Sequence, residues 1–94
     1  MSLQISKNNG VFHLIGKLNT STISPFNTHF EHIIEESDIT TVSVNIDSLN
    51  QIDTDGFDAL KTLKAIALRN QKRFYIYGDG FSELYNAFKQ TDVA

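Results

Sequence analysis

The residue types that could carry chemistry are clustered in the middle of the chain. They are, in order, Asp53, Thr54, Asp55, Gly56 and Phe57. A β-branched run precedes them and a long apolar-periodic segment follows, so they lie where a buried strand passes into a helix. Backbone N–H groups are unpaired at a helix N-terminus, and negative charge is favoured there. We therefore expect any functional site at this corner.

Helix capping is the structural interpretation of this segment. Either Thr54 or Asp55 would accept hydrogen bonds from the free N–H groups of the helix, and Asp58 would complement the helix dipole. Gly56 would let the turn close. A good cap contributes about 0.5–2 kcal/mol, so this interpretation requires no function.

Two chemical interpretations lack part of their residue set. Asp53, Asp55 and Gly56 match positions three, five and six of an EF-hand calcium loop. Position one would be Gln51 and position twelve Thr62, and neither is a charged ligand. Acid–base chemistry by paired carboxylates lacks a histidine, lysine or second loop that obviously converges on them.

A regulatory hydroxyl is the fourth interpretation. Thr54 stands at an exposed strand-to-helix corner, where a kinase could reach it. A phosphoryl group there would add negative charge beside three carboxylates, Asp53, Asp55 and Asp58. The repulsion would disturb the loop or a docked partner.

Turn and cap residues predict the elements before this corner. Asn9-Gly10 is a strong two-residue hairpin signal, because both positions need positive φ, and it stands between two apolar-rich segments. Ser24 followed by Pro25 predicts an N-cap and the first residue of a helix that ends near Glu36.

The elements around and after the corner follow from periodicity. Thr41 to Ile46 predicts a central strand, and Phe57 to Asn70 predicts a helix that Asn70 ends in a left-handed conformation. Phe74 to Tyr77 predicts a short strand, and Ser82 can cap a last helix. The fold class is therefore α/β with the order ββαβαβα. We expect one domain over residues 1–94, with an N-terminal β-hairpin, a mixed four-stranded sheet and three packed helices.

Composition excludes several classes of protein. The 94 residues are 40% hydrophobic with a net charge of −3, which favours a globular domain over a disordered chain or a nucleic-acid binder. Without cysteine, the chain has neither disulfides nor thiolate metal sites. No apolar run approaches the roughly 20 residues of a membrane span, so we expect a cytoplasmic protein without membrane insertion.

The remaining candidate residues favour structural roles. His29 and His32 lie three apart on the first helix without a third ligand nearby, so we expect no metal and no cofactor. The basic cluster of Arg69, Lys72 and Arg73 lies at a helix-to-strand junction, where it complements the helix dipole.

Three segments resemble one known family in order and spacing. Residues 53–56, Asp-Thr-Asp-Gly, look like the Asp-Ser/Thr-X-Gly signature of STAS domains, the sulphate-transporter and anti-sigma-factor-antagonist family. Residues 16–19, Gly-Lys-Leu-Asn, resemble the family's Gly-Glu-Leu-Asp at the end of its second strand. Residues 84–93 resemble its apolar helix ending in Leu-Thr-Gly-Leu.

The resemblance implies a non-catalytic switch module. Thr54 corresponds to the phosphoacceptor of anti-sigma-factor antagonists, Asp53 and Gly56 shape the loop, and the helix turn at Phe57 belongs to the docking face. Such a domain binds an anti-sigma factor or serine kinase until it is phosphorylated. Asp55 departs from the family's small neutral residue and adds charge. The short chain also resembles STAS subunits of lipid-transport ATPase complexes, so the alternative is a structural subunit bound to an ABC-type ATPase.

Overall fold

A computed structural model describes residues 2–36 and 38–78. Five strands and two helices lie in this part of the chain. In order they are β1 (Leu3–Asn8), β2 (Val11–Leu18), α1 (Ile23–Glu36), β3 (Thr41–Asn45), β4 (Leu49–Ile52), α2 (Thr54–Arg69) and β5 (Arg73–Tyr77). The helix expected from Ser82 onwards lies outside the described residues.

The strands form one mixed sheet in the order β1-β2-β3-β5, with β4 also paired to β2. β1 runs antiparallel to β2, and the other pairings are parallel. β1 occupies one edge of β2. The strands β3 and β4 therefore lie one after the other along the opposite edge of β2. β3 pairs with residues 11–13 of β2, and β4 with residues 16–18. The α/β class and the mixed sheet are thus confirmed.

The core is formed by apolar side chains of the sheet and of both helices. Phe12 of β2 packs edge-on against Phe30 of α1, with ring centroids 5.2 Å apart. The apolar residues of α1 recur at the helical period, and Phe26, Phe30 and Ile34 are buried while Ile33 is half-buried. The remaining buried apolar residues are Leu14, Leu18, Val42, Val44, Ile46, Leu49, Ala59, Leu60, Leu63, Ala67 and Ile76.

The hairpin prediction is confirmed at the level of backbone angles. Asn9 and Gly10 have φ values of 54° and 79°, so both central residues are left-handed, as a two-residue turn requires. α1 begins two residues earlier than expected. Ile23 is already helical, and the Thr22 carbonyl accepts from the Phe26 N–H at 3.2 Å, so Ser24 lies inside the first turn and is not the cap.

The expected four-stranded sheet is wrong in one respect, because the segment before Asp53 is a strand. Asn50 and Gln51 of β4 are polar and exposed, so this segment has no apolar strand pattern. Its backbone pairs with β2 regardless, and this parallel ladder, rather than side-chain burial, defines the strand.

Both ends of α2 also differ from expectation. The helix begins at Thr54, three residues before Phe57. At the other end Asn70 has φ −94°, and Gln71, with φ 63°, takes the left-handed conformation expected of Asn70. The Asn70 side chain instead donates to the Ile66 carbonyl at 2.8 Å, which satisfies one of the last carbonyls of the helix.

Candidate functional site

Asp53 caps α2. Its Oδ1 accepts a hydrogen bond from the Gly56 N–H at 2.8 Å, and its carbonyl accepts from the Phe57 N–H at 2.9 Å. The expectation that Thr54 or Asp55 would be the cap is therefore wrong. Those two residues are the first and second residues of the helix, because the helix begins earlier than its apolar period does. The Asp53 carboxylate occupies the position at which the helix dipole favours negative charge.

Gly56 is needed for close packing and not for turn closure. It lies in the first turn of α2 and is buried. A Cβ atom at this position would lie within 2.2 Å of the Leu18 carbonyl oxygen and 2.9 Å of its carbon. Both are backbone atoms at the end of β2, which cannot move aside as a flexible side chain would. Glycine therefore lets the start of α2 lie directly against the end of β2.

The loop between β2 and α1 supplies a third residue to this corner. The Thr20 hydroxyl donates to Asp55 Oδ2 at 2.8 Å, and the Thr20 backbone N–H donates to Asp53 Oδ2 at 3.3 Å. The second loop that the sequence did not reveal is thus present. It brings a hydroxyl and an amide rather than an acid–base partner, so its effect is to hold both carboxylates in place.

The β2–α1 loop is itself held by side-chain hydrogen bonds. Thr22 is buried, accepts from the Asn19 N–H at 3.0 Å and donates to the Lys17 carbonyl at 2.9 Å. The Asn19 side chain accepts from the Ser21 N–H at 2.9 Å and donates to Gln51 at 2.8 Å. The last of these bonds joins the loop to β4 and thereby positions Thr20 beside the end of that strand.

Sequence reasoning missed Thr20, although a general rule locates it. Residues that follow neighbouring parallel strands meet at the same edge of the sheet. β2 ends at Leu18 and its parallel neighbour β4 ends at Ile52, so Thr20 and Asp53 follow the two ends. Without β4 the rule could not be applied.

Thr54 and Phe57 complete the corner. Thr54 is exposed, and within the described residues its hydroxyl makes no hydrogen bond. Asp58, four residues further along α2, is exposed on the same side of the helix. Phe57 is half-buried, with the Lys61 ammonium 5.5 Å from its ring centroid. The corner thus presents a free hydroxyl between exposed carboxylates, with one cation beside an aromatic ring.

The other candidate residues lie apart from this corner. No group of three metal-ligating side chains is found within residues 2–36 and 38–78. His29 packs edge-on against Phe30, with ring centroids 5.4 Å apart. Lys72 donates to the Ile39 carbonyl at 2.6 Å, which fastens the segment before β3. Of the helices in this part of the chain, none is long and apolar enough to span a bilayer.

The chain matches one family model by sequence and several solved structures by fold. The family model of the STAS domain matches residues 1–80. The phosphorylated form of the Bacillus cell fate determinant SpoIIAA superposes with a TM-score of 0.65 at 14% identity, over 96% of this chain and 83% of that chain. An anti-sigma factor antagonist from Mycobacterium paratuberculosis gives a TM-score of 0.68 at 10% identity, over 98% and 80% of the two chains.

A structure of Mglu has a TM-score of 0.69 at 14% identity, over 83% of this chain. The superposition covers 20% of Mglu, so this chain spans about a fifth of that protein's length. At these identities the structural similarity shows a shared fold alone. No curated protein sequence matches the chain significantly.

Proposed function

This chain belongs to the STAS domain family, and from that premise we propose that it is a non-catalytic protein–protein interaction module of the anti-sigma-factor-antagonist type. It binds its partner, an anti-sigma factor or serine kinase in the cytoplasm, at the corner from Asp53 to Phe57. The observation that carries this proposal is the exposed Thr54 hydroxyl between two carboxylates, Asp53 and Asp55, that Thr20 of the β2–α1 loop holds by hydrogen bonds.

A pre-ordered corner favours binding. Asp53 is fixed both by the helix N–H of Gly56 and by Thr20, so the first turn of α2 needs little ordering when a partner docks. The carboxylates of Asp53 and Asp55 accept their hydrogen bonds from hydroxyl and amide groups rather than from a cation. Within residues 2–36 and 38–78 these bonds leave both negative charges in place, and a partner with basic side chains complements this corner.

Phosphorylation of Thr54 would act as a switch through charge. A phosphoryl group adds nearly two negative charges beside Asp55 and opposite Asp58, one helical turn away. The helix dipole offsets part of the repulsion within the chain, by about 0.3–1 kcal/mol for a charge at the N-terminus. A partner surface that packs closely on Thr54 would have to bury the phosphoryl group, so the complex dissociates.

The test compares Thr54→Ala and Thr54→Glu with wild type in binding to anti-sigma-factor and serine-kinase proteins of the same organism, measured by calorimetry. Thr62 is exposed on the same helix two turns further on, so Thr62→Ala and Thr62→Glu are matched controls. We expect Thr54→Glu to weaken binding at least tenfold, while Thr54→Ala and both Thr62 variants bind as wild type does. Equal loss in Thr54→Glu and Thr62→Glu would show a general charge effect and contradict the switch.

A structural subunit on the ATPase of an ABC-type lipid transporter is the second candidate function. It is favoured by Asp55, whose permanent charge stands beside Thr54 and is held by Thr20 without any phosphorylation. In this case the ATPase binds wild type, Thr54→Ala and Thr54→Glu alike. Asp55→Ala would then weaken the complex more than either Thr54 variant.

A further inference from the structure

The outer edge of β1 is open in the described sheet. The Ser2 carbonyl accepts from the Lys17 N–H at 2.9 Å, so Ser2 faces β2. Because backbone direction alternates along a strand, the N–H and C=O groups of Leu3, Ile5 and Lys7 point to the opposite side. No other strand of the described sheet pairs with that side. These backbone groups are able to pair with another chain.

A groove runs beside this edge on the helix-covered face of the sheet. It has a volume of about 270 Å³ and is lined by Ile5, Lys7, Phe12, His29 and Ile33. Pockets for drug-sized ligands span about 300–1,000 Å³, so this groove accommodates one or two side chains rather than such a ligand. A strand added to β1 would direct every second side chain toward the groove.

Lys7 determines which strand fits. Its ammonium lies 5.5 Å from the Phe12 ring centroid, and the side chain is exposed at the edge. If a second copy of β1 paired antiparallel about Ile5, Lys7 would face Leu3 of that copy, and its charge would be covered by an apolar residue. A lysine on an edge strand discourages such pairing. A strand with a carboxylate opposite Lys7 satisfies the charge instead.

We propose that β1 binds an extended acidic segment of another protein by antiparallel strand addition. The segment places a carboxylate opposite Lys7 and a β-branched apolar residue opposite Ile5, where the groove receives it. Main-chain hydrogen bonds supply affinity, and the alternate side chains supply specificity. This site uses different residues from the corner at Asp53, so it does not depend on the function proposed for that corner.

The probe is the peptide acetyl-Thr-Glu-Thr-Val-Thr-Val-Thr-amide, whose Glu faces Lys7 and whose first Val faces Ile5. Titration into ¹⁵N-labelled protein should shift the amide resonances of β1 and of the groove residues. Hydrogen exchange at Leu3, Ile5 and Lys7 should slow at least tenfold in the complex. Resonance shifts in the groove without protection of these amides would overturn strand addition, and so would the absence of any shift at millimolar peptide.

Charge reversal tests the contact between Lys7 and the peptide carboxylate. Backbone methylation tests the main-chain pairing with β1. Lys7→Glu should weaken binding at least tenfold, and a peptide with Lys in place of Glu should restore it. Arg69→Glu changes the net charge equally at an exposed position of α2 and should have no effect. N-methylation of the first Val, whose N–H faces β1, should abolish binding, whereas N-methylation of the preceding Thr, whose N–H points away, should not. Equal effects of the two methylations would contradict the predicted register.

Discussion

The Thr20 hydroxyl donates a hydrogen bond to the Asp55 carboxylate at 2.8 Å, although 35 residues separate them in sequence. This bond joins the loop before α1 to the first turn of α2. Asp53 is held by the same loop through the Thr20 N–H, so one residue orients both carboxylates. The corner is therefore a tertiary structure formed by two loops and not a local helix cap alone.

Removal of the Thr20 hydroxyl should loosen this corner. Thr20→Val keeps the shape of the side chain and removes the donor to Asp55. Because both groups are exposed, we expect the free energy of unfolding to fall by only about 0.5–1 kcal/mol, measured by urea denaturation. Partner affinity should fall as well, since the Asp55 carboxylate is no longer pre-ordered.

A double-mutant cycle checks the cause of this effect. The loss in Thr20→Val should largely disappear in an Asp55→Ala background, because the shared hydrogen bond is already absent. Thr28→Val, at an exposed position on α1, should change stability by less than about 0.5 kcal/mol. Strict additivity of the Thr20 and Asp55 variants would contradict the observed bond.

Asp53 should contribute more to the free energy of unfolding than Asp55. Asp53→Ala removes the acceptor of the Gly56 N–H and should lower the free energy of unfolding by about 1 kcal/mol. Asp53→Asn keeps a side-chain oxygen and should retain most of the cap. Asp55→Ala removes no cap, so guanidinium denaturation should show a smaller loss. The reverse order of Asp53→Ala and Asp55→Ala would place the cap at Asp55.

Gly56→Ala should destabilise the protein against the trend of helix propensity. At an unhindered helix position, Ala is favoured over Gly by about 1 kcal/mol. Here the added methyl group meets the Leu18 carbonyl, and overpacking of this kind costs about 1–3 kcal/mol. We expect a net loss in thermal denaturation. Ala65→Gly, at an exposed position on the same helix, should lose about 1 kcal/mol by propensity alone. A gain in stability for Gly56→Ala would mean that β2 and α2 are further apart than described.

Thr54→Ala should leave the fold intact. Asp53 caps the helix and the Thr54 side chain is exposed, so the free energy of unfolding should change by no more than about 0.5 kcal/mol. Circular dichroism and urea denaturation measure this directly. A large loss of stability would assign Thr54 a structural role and remove the main support for a regulatory one.

The sequence by itself predicted the features that depend on neighbouring residues. Asn9 and Gly10 form the hairpin because positive φ is a property of those residue types. The apolar period of α2 identified its buried face: Leu60, Leu63 and Ala67 are buried, and Phe57 and Ile66, which share the period, are half-buried. The position of the corner, between a strand and a helix, followed from the same local patterns.

Tertiary structure alone decided how the corner is built. β4 exists because β2 offers a parallel backbone partner, although Asn50 and Gln51 carry no strand pattern of their own. Gly56 is required by the Leu18 carbonyl, which lies 38 positions earlier in the chain. Thr20 reaches Asp55 only because β2 and β4 end side by side. Contacts of this kind depend on the register and direction of distant strands, and a local window of sequence contains neither.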